Sequence, residues 1–539
     1  MNLASALANG AWLAASIPAW RRFQRALRHP EEAQQHLLRN LLANNSECAY
    51  GRAHGFGDIR SYEQFRERAP LATYEDLAPW IARIMRGEKR VLTQAPVTRL
   101  LPTSGSTGGR KFIPITAGFQ NELNDAIGPW MIDLSRQHPS LRLGPAYWSI
   151  SPAIHIADSG SAVPVNFDDD SAYLGGVRQR LAAATFAVPG ELRLVNDIET
   201  CRYLTLLCLL RAPELRLISV WHPSFLALLL DTLESSWNEL LDDVERGGCR
   251  QASALPCEVR RVMAAAAQPR RATELLRHGP EDLGTIWPRL RIVSCWGDGH
   301  ARLPLAQLQK RMPGVAFQSK GLLATEAFVS IPFQNRHPIA VRSHFFEFID
   351  SRGKVRQAHE LRVGENYEVV VTTAGGLWRY QLRDLVEVDG FVDATPSLRF
   401  LGRGKSVSDL CGEKLAEHFV TQAIDTACAS FQFAPRFAML APEATAEGRW
   451  RYTLFVEGDS PPALPTRLDE ALRRNPHYAL CRDLRQLEAV GCHRVNHGAD
   501  EVFGRLHASE GRRFGDIKPQ ALSTRTDWRA LFDGRESSA

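Results

Sequence analysis

Pro102-Thr-Ser-Gly-Ser-Thr-Gly-Gly-Arg-Lys111 is a hydroxyl- and glycine-rich run ending in a lysine, set between Val97-Thr-Arg-Leu-Leu101 and Phe112-Ile-Pro-Ile115. Gly105, Gly108 and Gly109 let a backbone approach a polyphosphate closely, and hydroxyls with loop amides can donate to its oxygens. The hydroxyls come from Thr103, Ser104, Ser106 and Thr107. Lys111 adds a compact positive charge suited to a phosphate. A Walker A loop needs Gly-Lys followed directly by Ser or Thr. Here Arg110 precedes the lysine and Phe112 follows it, so a phosphate-binding reading must be of another kind. The plain alternative for such a run, taken alone, is a Gly/Ser surface loop.

Outward from this run, bulk properties narrow the classes. The chain has 539 residues, 44% of them hydrophobic, which exceeds one typical domain and can bury a sizeable core. A net charge of +5, spread along the chain, gives no concentrated basic face, so nucleic acid is not an expected partner. The 10 cysteines show no CxxC spacing, which suits reduced, separately buried thiols rather than zinc or a disulfide framework. Residues 2–20 carry no charge, but Asn9, Gly10 and Pro18 interrupt the apolar run and no positive segment precedes it. A packed or surface-lying helix is expected there, not a signal peptide or a span of about 20 apolar residues. The expectations are therefore no stable membrane insertion, a cytoplasmic location and a monomer.

Along the chain, Ser61 and Thr73 read as helix starts, and Thr116 caps a helix with Phe119, Leu123, Ile127, Trp130, Met131 and Leu134 on its apolar face. A second helix-rich block covers about 200–285. Short strand-like runs at 217–220, 292–295, 345–349 and 367–372 interleave with helices, which argues for an α/β class. A polar interruption, Gly402-Arg-Gly-Lys-Ser406, marks a boundary. Beyond it a helix at 416–431, a strand at 452–456, a helix at 465–474 and a strand at 487–490 make a small α+β module.

Several separated segments then match one family in order. They are Tyr50-Gly-Arg-Ala-His-Gly-Phe56, Pro70-Leu-Ala-Thr-Tyr74, the glycine-rich run, Gly321-Leu-Leu-Ala-Thr-Glu326, Phe345-Phe-Glu-Phe348 and Gly376-Leu-Trp-Arg-Tyr-Gln-Leu-Arg-Asp384. Phe400-Leu-Gly-Arg403, Leu410-Cys-Gly-Glu-Lys-Leu415 and Gly515-Asp-Ile-Lys518 follow. The series resembles the auxin-responsive acyl-acid amido synthetases, the Gretchen Hagen family, in a bacterial form, within the adenylate-forming enzymes. Their joint order carries more weight than any single motif.

The resemblance implies an α/β fold like that of firefly luciferase. It comprises a large N-terminal ATP- and acyl-binding domain over 1–402 with mixed sheets and helices, a hinge at 403–409 and a small mobile α+β C-terminal domain over 410–539. It implies ATP and Mg²⁺, a small carboxylic acid that becomes an acyl-adenylate, and an amino acid or amine that takes the acyl group. Thr103, Ser104, Gly105, Ser106, Thr107, Gly108 and Lys111 would hold phosphates, with Thr325 on the α-phosphate and Glu326 as the magnesium ligand. Asp384 and Arg403 would hold the ribose, and Lys518 would reach the α-phosphate and the acid during adenylation. The family more often has glycine where this chain has Arg383, which leaves the local loop shape open. Lys405 falls at the hinge.

Other features are weaker. Asp298 and His300, after a strand ending at Cys295, are candidates at the border of a nucleotide or acyl pocket. Trp221-His-Pro223 and the helix 225–233 suit an acyl-pocket wall and core packing equally. His493 and His497 lack a third metal ligand. Two further readings remain: an acyl-CoA ligase using the same adenylate, and a nucleotide-binding protein that has lost catalysis.

Overall fold

The computed structural model describes residues 3–104, 110–149, 160–165, 181, 183–298, 301–403, 407–411, 413–445, 450–484, 486–496, 498–509 and 520–533. The uncharged N-terminal stretch is part of helix α1 (Leu3–Arg28), with Trp12, Phe23 and Leu27 in the main core. Helix α2 (Tyr74–Met85) starts where Thr73 donates from its backbone N and its hydroxyl to Asp76 Oδ2, each at 2.8 Å. Thr116 caps helix α3 (Ala117–Gln137) as expected, accepting from Phe119 N at 3.1 Å. α1 crosses α3 where Gly128 faces Ser16 and Ala19; a Cβ at Gly128 would lie 3.4 Å from both. Among the described residues, no helix is long and apolar enough to cross a membrane.

Two strands, β1 (Arg99–Ser104) and β2 (Arg110–Ile115), form a hairpin. Four more, β3 (Ala146–Trp148), β4 (Leu217–Ser219), β5 (Ile292–Trp296) and β6 (Ala316–Lys320), form an all-parallel sheet in that order. Its strands are short and β4 and β5 are buried throughout, as a sheet covered on both faces requires. One face joins the main core through Leu217, Ile292 and Trp296, and the other packs Tyr147, Ile218, Val293 and Cys295 into a second core. Leucine-rich helices dominate that second core, including α4 (Ile198–Leu210) and α5 (Pro223–Ser235). Helix α6 (Arg302–Arg311) connects β5 to β6.

An antiparallel sheet follows, ordered β11-β10-β9-β7-β8. Its strands are β7 (Phe345–Asp350), β8 (Val355–Gln357), β9 (Asn366–Thr372), β10 (Tyr380–Val392) and β11 (Thr395–Arg403). The start of the chain is tied to this late sheet. Ala394 N and Thr395 Oγ1 donate to Leu27 O at 2.9 and 3.0 Å, and Gln34 Nε2 donates to Val341 O and His344 O at 3.0 and 2.8 Å.

The smaller C-terminal domain gathers its own cores, drawn from residues after 409. Strands β12 (Val407–Ser408) and β13 (Leu415–Ala416) pair ahead of helix α7 (Glu417–Ala429). Strands β14 (Phe437–Ala444), β15 (Trp450–Glu457) and β16 (Gly491–Val495) form its sheet, with helix α8 (Leu464–Leu472) inserted before β16. The expected strand at 487–490 is corrected here. Leu487 makes a single bridge to Trp450, and the strand parallel to β15 is β16. The apolar run sinks into the core, whereas β16 alternates exposed Cys492 and Arg494 with more buried positions, a half-covered strand the run concealed.

The two domains meet through charge. Arg436 pairs with Asp231 on α5 and, at 3.6 Å, with Glu457; Arg311 reaches Asp231 at 3.0 Å and Glu234 at 2.6 Å. Asp500 of helix α9 (Ala499–Ser509) faces this group. Burial first, then Glu457 and Asp231, push its carboxyl up to about 7 against the pull of Arg436. A carboxyl raised on folding binds more protons in the folded than in the unfolded state between its two values. The contribution of Asp500 to stability should therefore fall as pH rises from about 4 to about 7 and level off above. Asp500→Asn should flatten that slope in thermal melts, and an unchanged slope would remove Asp500 as its source.

Candidate active site

The glycine-rich run sits at a hairpin. β1 and β2 place Thr103 opposite Lys111 and Ser104 opposite Arg110, while Gly105, Ser106, Thr107 and Gly108 lie outside the described residues, as do Lys405 and Lys518. Lys111 is half-buried; its ammonium donates to Tyr380 Oη at 3.4 Å and lies 5.5 Å from the Tyr74 ring centroid. Tyr74 Oη accepts from Phe112 N at 2.8 Å, so α2 holds β2 in place.

Tyr380 opens β10, and Asp384 follows four residues later, 4% exposed, with Arg403 as its ladder partner on β11. Between them the pairing with β9 jumps from Gln381–Val370 to Leu385–Glu368, so three residues of β10 oppose one of β9. Such a bulge bends the strand and re-aims its side chains. Arg383 sits in the bulge at φ +66°. Glycine suits that left-handed backbone, and here arginine adopts it, with Nη1 3.4 Å from Glu368 Oε1. Arg383→Gly relieves the strain and loses the pair, whereas Arg383→Ala loses the pair alone. The glycine variant should therefore be the more stable of the two by about 1 kcal/mol, measurable from urea midpoints.

Thr325 and Glu326 form the tip of a tight turn after β6. Ala324 N donates to Ala327 O at 2.9 Å, the return bond is 3.2 Å, and Leu323 bridges Phe328. The turn's base is close-packed, since a Cβ on Gly321 would come within 2.3 Å of Ser330 O. Glu326 is half-buried between apolar flanks, a hard oxygen donor on a rigid support. Among the described residues, no three potential ligands gather as a metal site. An ion at Glu326 would draw its other oxygens from phosphate and water, as Mg²⁺ commonly does.

Two buried networks position these parts. Arg379, 3% exposed, pairs with Glu347 through Nε–Oε2 and Nη2–Oε1, both 2.8 Å, and donates from Nη1 to Ala69 O at 2.8 Å. Tyr62 Oη donates to the same carboxylate at 2.9 Å. Glu122 on α3 accepts from Ala374 N at 2.9 Å and meets His344 Nδ1 at 2.9 Å, which fixes the turn leading into β10; burial pushes its carboxyl up. Arg379 and Glu347 lie inside segments quoted above and His344 just before one, but composition gave no sign that these charges pair.

Asp298 follows β5; burial raises its carboxyl, against His337, the Phe400 amide, Arg302 and Arg399. The ring centroids of Trp296 and Phe400 lie 5.1 Å apart, joining the parallel sheet to β11 near Arg403. His300 and His497 lie outside the described residues. His493 meets Arg529 and Asp533 at 2.9 and 3.2 Å. Cys295 is buried and its thiol is pushed up to about 12, so no nucleophile forms there.

Residues 19–317 match the GH3 family N-terminal domain, and residues 337–403 match the GH3 family central domain. The chain belongs to the GH3 family. A probable indole-3-acetic acid-amido synthetase GH3.12 of Oryza sativa subsp. japonica is 27% identical over 76% of this chain and 75% of its own length. Indole-3-acetic acid-amido synthetase GH3.3 of Arabidopsis thaliana is 23% identical over 76% of this chain and 73% of its own. Among solved structures, AtGH3.15 acyl acid amido synthetase in complex with 2,4-DB superposes with a TM-score of 0.86 at 19% identity, covering 96% of both chains. A 2-hydroxyisobutyryl-CoA ligase with its acyl-AMP gives 0.52 at 13% identity over 94% of this chain and 92% of that one. The GH3 fold is thus that of the adenylate-forming ligases.

Proposed function

We propose that this GH3 protein is an ATP-dependent acyl-acid amido synthetase. It would convert a carboxylic acid and ATP into an acyl-adenylate and pyrophosphate, then transfer the acyl group to an amino acid or amine with release of AMP. What supports the reading most is that the phosphate-type lysine and the ribose-type aspartate lie at one strand. Lys111 is tied to Tyr380 at the start of β10, and Asp384 is buried four residues on.

In the first step the acid's carboxylate oxygen attacks the α-phosphorus and pyrophosphate leaves. Lys111 would neutralise the charge that builds on the departing phosphates, a group placed in advance where that charge develops. Asp384, with two acceptor oxygens, would take both ribose hydroxyls, and Arg403 opposite it would complete that grip. Thr325 would donate to the α-phosphate from the tip of its turn. Glu326 would hold Mg²⁺, which would supply Lewis-acid stabilisation of the phosphate charge. Lys518 would approach the α-phosphate from the small domain, which would turn about 403–409 between the half-reactions. In the second step a neutral amine attacks the acyl carbon, loses its proton, and AMP departs with the bonding pair.

The test incubates the protein with Mg-ATP, aryl and alkyl carboxylic acids, and pooled amino acids or coenzyme A. Pyrophosphate and product mass are followed together. The expected product is an amide with AMP. A thioester would move the chain to the ligases, and no pyrophosphate with any acid would sink the reading.

A further inference from the structure

Pro70-Leu-Ala-Thr-Tyr74 has no part in the chemistry described above, yet it links the two strands that carry Lys111 and Asp384. Its backbone joins the start of β10. Ala72 bridges Tyr380 in parallel, Ala72 N donates to Arg379 O at 3.0 Å, and Gln381 N donates to Ala72 O at 2.9 Å. Its last side chain joins β2. Tyr74 Oη accepts from Phe112 N at 2.8 Å, the amide next in the chain to Lys111. The ring of the same tyrosine has the Lys111 ammonium 5.5 Å from its centroid. Thr73 and Asp76 fix Tyr74 at the first position of α2, so the ring projects from a capped helix end. Among the described residues Lys111 forms no ion pair. Its other hold is the 3.4 Å bond to Tyr380 Oη, and Glu75, exposed beside Tyr74, feels its charge without touching it.

A lysine side chain is a point charge on a long flexible stem. A stabilising group acts best when it already stands where charge will develop, so that flexibility has to be restrained beforehand. An aromatic face restrains an ammonium without neutralising it, whereas a carboxylate would compete with phosphate for the charge. Anchoring the amide of the following residue fixes where the stem begins.

We propose that Tyr74 is the positioning residue of Lys111. Its ring holds the ammonium and its hydroxyl holds the strand from which the lysine springs, while Ala72 ties both to the strand that bears Asp384. The segment thereby sets the spacing between the charge offered to the phosphates and the carboxylate offered to the ribose. The role rests on the amido-synthetase reading for its reaction, and nucleotide binding tests it separately.

Tyr74→Leu removes ring and hydroxyl, and Tyr74→Phe removes the hydroxyl alone. Each is made in the native background and with Lys111→Met. Mg-ATP binding is measured without acid by calorimetry, and kcat and KM for ATP by pyrophosphate release with the aryl and alkyl acids. Tyr74→Leu should lower kcat/KM for ATP by about 10- to 30-fold, part of the loss from removing the lysine itself, since a displaced group forfeits much of its effect. Tyr74→Phe keeps the ring and should lose only about two- to fourfold, the scale of one neutral hydrogen bond. With Lys111→Met in place, Tyr74→Leu should cost less than about twofold more, because a residue acting through another then has nothing to act on. A loss of equal size in both backgrounds, or none in Tyr74→Leu, overturns the proposal. Should Tyr74→Leu fail to fold, Tyr74→Phe decides, since no loss, or the same loss with Lys111→Met, overturns it as well. Coupled losses of Mg-ATP affinity with no pyrophosphate from any acid would sink the amido-synthetase reading and leave Tyr74 in its role. Pyrophosphate from wild type with uncoupled losses would do the reverse. Without Mg-ATP binding in wild type, both fall.

Discussion

Arg379→Ala destabilises the protein by about 3–5 kcal/mol, the cost of breaking a buried ion pair by removing one partner. The variant leaves Glu347, 1% exposed, with a carboxylate that has lost both of its 2.8 Å contacts to the guanidinium and, among the described residues, keeps only the Tyr62 hydroxyl. It also frees Ala69 O, which accepts from Arg379 Nη1, and leaves only the backbone bonds of Ala72 to Arg379 O and Gln381 N, 3.0 and 2.9 Å, among the described residues to hold this segment to the start of β10. Urea unfolding followed by tryptophan fluorescence measures the loss. The double variant Arg379→Met/Glu347→Leu recovers much of it, because no buried charge is then left unpaired. A loss under about 1 kcal/mol in Arg379→Ala would mean that the pair is solvated, like a surface bridge.

Lys111→Ala lowers pyrophosphate release by about 10²- to 10³-fold, the scale on which removing one preorganised charge-stabilising donor acts. Its effect on stability is small by contrast. The ammonium makes a long 3.4 Å contact with Tyr380 and stands 5.5 Å from the Tyr74 ring, contacts together worth about 1 kcal/mol. The separation of the two readouts is the content of the prediction. Folding intact with catalysis lost places Lys111 in the chemistry, and turnover within threefold of wild type removes it.

Much of the fold was legible. Thr116 and Ser61 announced helix starts because a side-chain oxygen placed before an apolar stripe satisfies the first free amides of the helix, and Thr73 did so through Asp76, whose carboxylate accepts from the cap's own amide. The runs at 217–220 and 292–295 read as strands because a sheet covered on both faces needs continuous apolar side chains. The long β10 and β11 were not read as strands. Arg379, Arg383 and Asp384 put charge where a strand pattern wants alternation, and they can stand there only because Glu347, Glu368 and a bulge receive them. The candidate site follows the same division. Lys111, Glu326 and Asp384 announced themselves through motif spacing. The buried setting of Lys320, one residue before the Gly321–Glu326 segment, was not legible, since it is made by three tryptophans 99 to 190 positions away in sequence.

The bonds from Leu27 O to Ala394 and Thr395 join residues up to 368 positions apart. During translation at about 5–20 residues per second, that separation corresponds to a wait of roughly 20 to 70 s. Through this interval α1, with its buried Trp12, Phe23 and Leu27, has emerged while the sheet edge that covers its end does not yet exist. The newborn chain can cover the middle of α1 once α3 has emerged, but closes its Leu27 end late. Release of the chain before residue 395 would leave that end of α1 without its two bonds to the sheet.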